Sequence, residues 1–247
     1  LAGLGRYLEA ARIGFSVEET VARLIRYQWL ERAVMRTLAA HFAATPEWEV
    51  KCGAALAIWQ CAEHVESLRQ RVGEMRHPVP ALDVAPDPLL ERFCDELLRC
   101  DGSLELVAGV YGVVLPSLVV CYRDHLARAN LLVDHPTRRL LRFALLELEE
   151  AAWWGEEALT ALVDATPDGV ARAEAWSRHL TRYLEAAGSI AGDGPRLELP
   201  LGRSQAPFVP DFTPRRDARF QGQRHFDFPP HQLYNAPAVP VDERNLA

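Results

Sequence analysis

Between Ser16 and Gly188 the apolar residues return at steps of three and four, and no useful length alternates with a period of two. A half-buried strand needs the second pattern and an amphipathic helix the first, so this part of the chain is restricted to packed helices. Ser16-Val17-Glu18-Glu19 is a capping box, in which the serine hydroxyl holds the Glu19 amide and the glutamate reaches back. Val21, Leu24, Ile25, Trp29, Val34 and Leu38 continue the pattern and predict a helix to about His41. Thr45-Pro46 predicts a second start, with threonine as cap and proline at the first helical position. That helix carries Ala54 to Val72 and ends near Pro78 and Pro80. Asp87-Pro88 predicts a short helix through Leu98, and Ser103 a long one through Ala129, kinked at Pro116. Asp134-His135-Pro136-Thr137 caps another that reaches about Val163, and Asp168 begins the last, which stops at Gly188. The expected class is all-α, and Trp29, Trp48, Trp59, Trp153, Trp154 and Trp176 are expected to fill its interior.

From Ser189 the character changes. Gly192, Gly194 and nine prolines from Pro195 to Pro240 exclude long helices. Phe208, Phe212, Phe220, Phe226, Phe228 and Tyr234 are spread through the same segment, whereas disordered linkers are poor in aromatics. The expectation is a helical body over residues 1–188 and an extended Pro- and aromatic-rich arm over 189–247, with at most a short strand at Arg196–Leu201. Such an arm is stabilised when its aromatics find pockets, which points to a homo-oligomer or a protein partner; a disordered tail is the alternative.

Several function classes fall away. A net charge of −7, with Lys51 the lone lysine, lacks the basic face of a nucleic-acid binder. The five cysteines form no Cys-x-x-Cys pair and fall in helical segments, where free cysteine acts as a small buried apolar residue. A reducing, cytoplasmic setting is expected. No uninterrupted apolar run reaches the roughly 18–20 residues of a membrane span, since residues 106–122 contain Gly109, Gly112 and Pro116. The chain starts without Met and without a signal-peptide pattern, which leaves the true N-terminus open. No phosphate-binding Gly-rich loop or Gly-x-Ser-x-Gly elbow occurs. Arg224-His225-Phe226-Asp227 and His231 lie in a Pro-rich segment unsuited to holding catalytic geometry. Asp124 and His125 end the third long helix, where they could orient a ligand or cap the bundle.

One stretch carries more chemistry. QCAEHVES, residues 60–67, places Cys61, Glu63, His64 and Glu66 within two helical turns. His64 shares a face with Ala57, Cys61 and Leu68, while Glu63 belongs with Leu56, Trp59 and Gln60. Glu31 lies in the apolar stripe of the first long helix. Farther on, Glu147, Glu149 and Glu150 interrupt the apolar stretch from Leu140 to Trp154. A helix apolar nearly all round is a buried one, and acids buried there need partners, a metal or protons. Arg138, Arg139 and Arg142 are the nearest partners in sequence.

The segments His41–His64 and His125–Glu150 also echo one another. Each has a histidine, a Pro-containing restart, an apolar run and a carboxylate cluster, with Glu63 opposite Glu149 and His64 opposite Glu150. Two hairpins with acids at matching depth resemble the ferritin-like superfamily, over roughly residues 16–165. The resemblance implies an up-down four-helix bundle with extra helices, holding iron or manganese on carboxylates between its hairpins. Glu31, Glu63, His64, Glu147 and Glu150 are the candidate ligands, with Asp124 an outside member. The family's Glu-x-x-His is absent, since Glu66 follows Glu63 and Glu150 follows Glu147. The echo also places Pro116, not a carboxylate, opposite Glu31. A rearranged two-metal site, a single ion on a subset, and a bundle that has lost its metal are the three readings. As functions these are an altered carboxylate-bridged oxidoreductase, or a non-catalytic scaffold that binds a partner through its C-terminal arm.

Overall fold

A computed structural model describes residues 6–200, 202–204 and 206–220. Every regular element among them is helical. A single turn, α1 (Tyr7–Ala10), precedes the long helices α2 (Val17–Phe42) and α3 (Trp48–Glu74). After a 3-10 turn come α4 (Pro88–Leu97), α5 (Gly102–Gly109), α6 (Leu115–Arg128), α7 (His135–Ala165) and α8 (Gly169–Ala186). α2 packs along α3, α6 along α7, and α3 against α7, while α4, α5 and α7 pack on α8. The bundle axis is filled by Leu24, Leu30, Val34 and Leu38 from α2, Leu68 and Val72 from α3, and Leu118 and Leu141 from α6 and α7. Each such aliphatic side chain stabilises the fold by about 1.5–3 kcal/mol on burial.

The helix starts follow their caps closely. Ser16 and Glu19 form the expected reciprocal box, and Asp87 caps Leu89 ahead of Pro88. The second start differs. α3 begins at Trp48 behind Glu47, because Thr45 turns its hydroxyl back to the His41 carbonyl at 2.9 Å and so finishes the preceding helix. The third long helix opens at Gly102, one residue before Ser103. Ser103 spends its hydroxyl on Glu47.

Between α5 and α6 the chain does not break. Val110–Val114 is wound as a π-turn immediately ahead of Pro116, whose nitrogen has no proton for the ladder. Winding one turn wider absorbs the irregularity, so Gly102–Arg128 runs as one helix. By length and composition alone it could cross a membrane, despite Gly109, Gly112 and Pro116. Most of its apolar window, 72%, is buried within the protein, as befits a core helix.

The chain divides into Leu1–Arg215 and Arg216–Ala247. In the first unit the chain leaves α8 through Gly188, two residues past the helix end and in the left-handed region at φ 72°, and the following residues are fastened to the helices. The Arg26 guanidinium is buried and donates to the carbonyls of Ala187, Ser189 and Ile190 at 2.7–3.2 Å, and to Asp87 at 2.7 Å. A Cβ at Gly192 would stand 2.7 Å from that guanidinium. Farther along, the Arg203 amide donates to Glu96 at 2.7 Å and its guanidinium lies over Trp176. Arg215 donates its amide to the Ala43 carbonyl at 2.9 Å. No strand forms among the described residues; Leu197 makes a single bond to the Ala186 carbonyl. The described part of the second unit holds a turn, Phe220 amide to Asp217 carbonyl. Phe226, Phe228, Tyr234, His225 and His231 lie outside the described residues.

Packing corrects three further expectations. Only Trp176 among the tryptophans is wholly interior, whereas Trp48, Trp59 and Trp153 are exposed. Cys61, Cys94 and Cys100 are buried and Cys121 half-buried, but Cys52 is exposed; all five are free thiols. The apolar run of α7 is not buried all round either, for Phe143, Leu146 and Trp153 face outward.

Candidate functional site

The four long helices bring one set of polar side chains to the bundle axis. α2 supplies Glu31, which is fully buried. α3 supplies His64 with Cys61 one turn before it, both on the inward face shared with Ala57 and Leu68. α6 supplies Tyr122 and α7 supplies Glu147. Helix periodicity sets each aim: Glu31 stands one position from Leu30 and three from Val34 in the buried stripe of α2, and Tyr122 follows Leu118 and Val119 in that of α6.

The side chains form a line. The Tyr122 hydroxyl donates to Oε1 of Glu31. Oε2 of Glu31 meets Nδ1 of His64 at 2.7 Å. On the other side of the ring, Nε2 of His64 meets Oε2 of Glu147 at 2.9 Å. When both carboxylates are ionised, both bonds need the ring to donate from both nitrogens, which is the imidazolium form. Burial alone would lower the His64 pKa, but the hydrogen bond and charge of Glu31, followed by those of Glu147, outweigh it and raise the value above 6.5. An imidazolium here offsets the charge of fully buried Glu31, which is costly to hold unpaired inside the bundle. Burial, together with the charge of Glu31, raises the Tyr122 phenol and the Cys61 thiol well above their ordinary values, so both remain neutral.

Behind Tyr122 the polar column continues. The Tyr27 ring lies 4.8 Å from that of Tyr122, and its hydroxyl is 3.4 Å from Nδ1 of His125. His125 is fully buried, and its Nε2 has no partner among the described residues. Burial first, and then the charges of Arg23, Arg128 and Arg138, push its pKa down to about 4. His125 is therefore a neutral core residue rather than an exposed cap.

The other end of the line opens outward. Glu147 has 39% of its side chain exposed, and with His64 it lines a cavity of about 520 Å³ between α3 and α7. Ser67, Arg71, His135, Arg139 and Phe143 form much of the remaining wall. Glu63 is exposed at the rim of this cavity, and Glu150 lines a separate apolar groove with Trp153 and Trp154. Asp124 pairs with Arg23 and Arg128 at the surface. Glu149 is held by Arg123 at 2.7 Å, and Arg138 instead binds the carbonyls of Leu126 and Ala129.

Of the sequence candidates, Glu31, His64 and Glu147 thus meet, while Glu63, Glu150 and Asp124 stay apart from them. Tyr122 was not expected; the internal echo placed Pro116 opposite Glu31, about two turns too early. Its only sequence signal is its place in the buried stripe of α6. The donor set does not fit a carboxylate-bridged pair of ions as arranged. The two ring nitrogens of an imidazole point apart, so carboxylates on each cannot share a center with it. Among the described residues no three His, Cys, Asp or Glu side chains surround one point as ligands would. Comparison with known proteins finds no matching family model, curated protein or solved structure.

Proposed function

We propose that this chain is a ferritin-like bundle whose central site works as a metal-free acid–base center for a small polar molecule. The observation that carries the reading is the engagement of both His64 nitrogens, by a buried carboxylate inside and a half-exposed one at the cavity wall. A buried carboxylate fixes the ring orientation and stabilises its proton, so Nε2 is the atom that gives or takes one. Glu31 and Tyr122 are positioning residues in this account. Glu147 occupies Nε2 until a ligand replaces it, which its exposure permits. The cavity volume falls within the range of small-molecule sites, and its mixture of Arg71, Arg139, Ser67 and Phe143 suits a polar or zwitterionic molecule with an apolar part.

Two measurements on the purified full chain test this reading. Nitrogen-15 NMR of the His64 ring is expected to show both nitrogens protonated at neutral pH, with a pKa above 6.5 that falls in Glu31→Gln. Elemental analysis is expected to find no stoichiometric iron or manganese. Stoichiometric metal that Glu31→Gln removes would return the site to the oxidoreductase reading, and a His64 pKa at or below 6.5 would remove the acid–base one.

A further inference from the structure

The outward face of α7 extends well past the relay, although His135, Arg139 and Phe143 at one end of it also line the relay's cavity. At 100° per residue, His135, Arg139, Arg142, Phe143, Leu146, Glu150, Trp153 and Glu157 fall within one side of the helix. Phe143, Leu146 and Trp153 are 58%, 60% and 64% exposed, and Leu56 and Trp59 of neighbouring α3 are 54% and 57% exposed. A buried aromatic covers about 150–250 Å², so these five side chains together reach the several hundred Å² at which an apolar patch marks an interaction site. α3 and α7 are antiparallel, as the meetings of Gly53 with Trp154 and His64 with Glu147 require. Trp59 therefore lies within about a turn of the level of Leu146.

The charges on this face are ordered. His135, Arg139 and Arg142 precede the apolar center, and Glu150 and Glu157 follow it; all five are exposed. Arg139 and Arg142 lie beyond the first turn of α7, and Glu150 and Glu157 well before its last, where the macrodipole has little effect, so the order is not set by the helix ends. It is, however, self-complementary. In an antiparallel pair centered on Leu146, opposed positions sum to the same number, which sets Arg142 against Glu150, Arg139 against Trp153 and His135 against Glu157, and sets Phe143 beside Glu149, whose charge Arg123 already holds. The first is an opposite-charge pair, the second sets a guanidinium on an indole, a favourable contact, and the third sets an imidazole against a carboxylate. A two-fold axis repeats each pair.

We propose that α7 is the center of a homodimer interface, where two copies pair antiparallel about a two-fold axis at Leu146 with Leu56 and Trp59 flanking. The ordered charges are what select a second copy as the occupant, because the face complements its own inverted image. The pairing does not depend on the chemistry of the relay.

Sedimentation of the full chain between roughly 0.1 and 100 µM, spanning micromolar association, is the test. A dimer is expected. Leu146→Glu, at an exposed position that leaves the core intact, is expected to weaken it by about 100-fold, the loss typical of a central contact. Arg142→Glu and Glu150→Arg are each expected to weaken it by about 10-fold through like-charge contacts, and the double exchange to recover most of that loss. Circular dichroism of each variant separates dissociation from unfolding. A dimer indifferent to Leu146→Glu, or a double exchange without recovery, overturns the pairing. So does a monomer at the highest concentration, including one whose Trp59 and Trp153 emission is shielded from a quencher by some other occupant.

Discussion

Removing His64 while leaving Glu31 tests whether the bundle center acts as one coupled unit. In His64→Ala the Glu31 carboxylate stays fully buried and keeps the Tyr122 hydroxyl and the Cys61 thiol as donors, both of them neutral. Breaking a buried pair from one side costs about 3–5 kcal/mol, because the surviving charge has no counterion. For a domain of this size that corresponds to a drop of roughly 6–20 °C in melting temperature. Glu31→Gln removes the charge instead, and His64→Ala/Glu31→Gln removes both members. The double variant is expected to be less destabilised than the sum of the singles, with a coupling of about 1–3 kcal/mol. Urea titrations followed by far-UV circular dichroism give the four free energies at constant m-value. The sign of the pH dependence is also set. A pKa raised in the fold adds stability that is complete below the unfolded value near 6.5 and is lost as pH rises through the higher folded value. The coupling should therefore shrink in alkali. Additivity of the two single variants within about 0.5 kcal/mol, or a coupling that grows with pH, would refute the reasoning.

His125 should act in the opposite sense. Its folded pKa is depressed to about 4, so it lowers stability progressively as pH falls from 6.5, by about 3 kcal/mol once pH 4 is passed. His125→Gln should lack that part of the acid sensitivity, and equal pH slopes in the two proteins would argue against a neutral buried ring. Gly155 faces a different constraint, since a Cβ there would stand 2.2 Å from that of Tyr111. Gly155→Ala should cost about 1–3 kcal/mol by overpacking, measured by the same urea titration; an unchanged midpoint would mean that α7 shifts freely against the π-turn.

Local signals carried much of the fold. Capping at Ser16 and Asp87 depends on neighbouring atoms, so both starts stand where the residues put them. Thr45-Pro46 misled because a threonine hydroxyl can serve the helix behind it as easily as the one ahead. At the site, Glu31 and His64 were legible because each interrupts a buried stripe, and the phase of a helix can be read from its sequence. Glu147 and Glu150 could not be separated in this way. Both lie in an apolar run, and the run was apolar for two reasons, one side packing inward and the other lying open. Tyr122 was hidden for a different cause. Its partner is 91 residues away on another helix, and the relative depth of two helices is set by packing along their whole length.

The π-turn at Val110–Val114 separates how many residues this helix contains from where its side chains aim. One surplus residue is taken up in a single wide turn; wound regularly, the same chain would swing everything downstream by about 100° and carry the Tyr122 phenol off the axis. The segment thus works as a phase adjuster, and a one-residue deletion within it can be absorbed by a return to regular winding. Length variation at this point of the chain is compatible with an unchanged interior, whereas the same deletion a few residues later would misalign the phenol with its carboxylate.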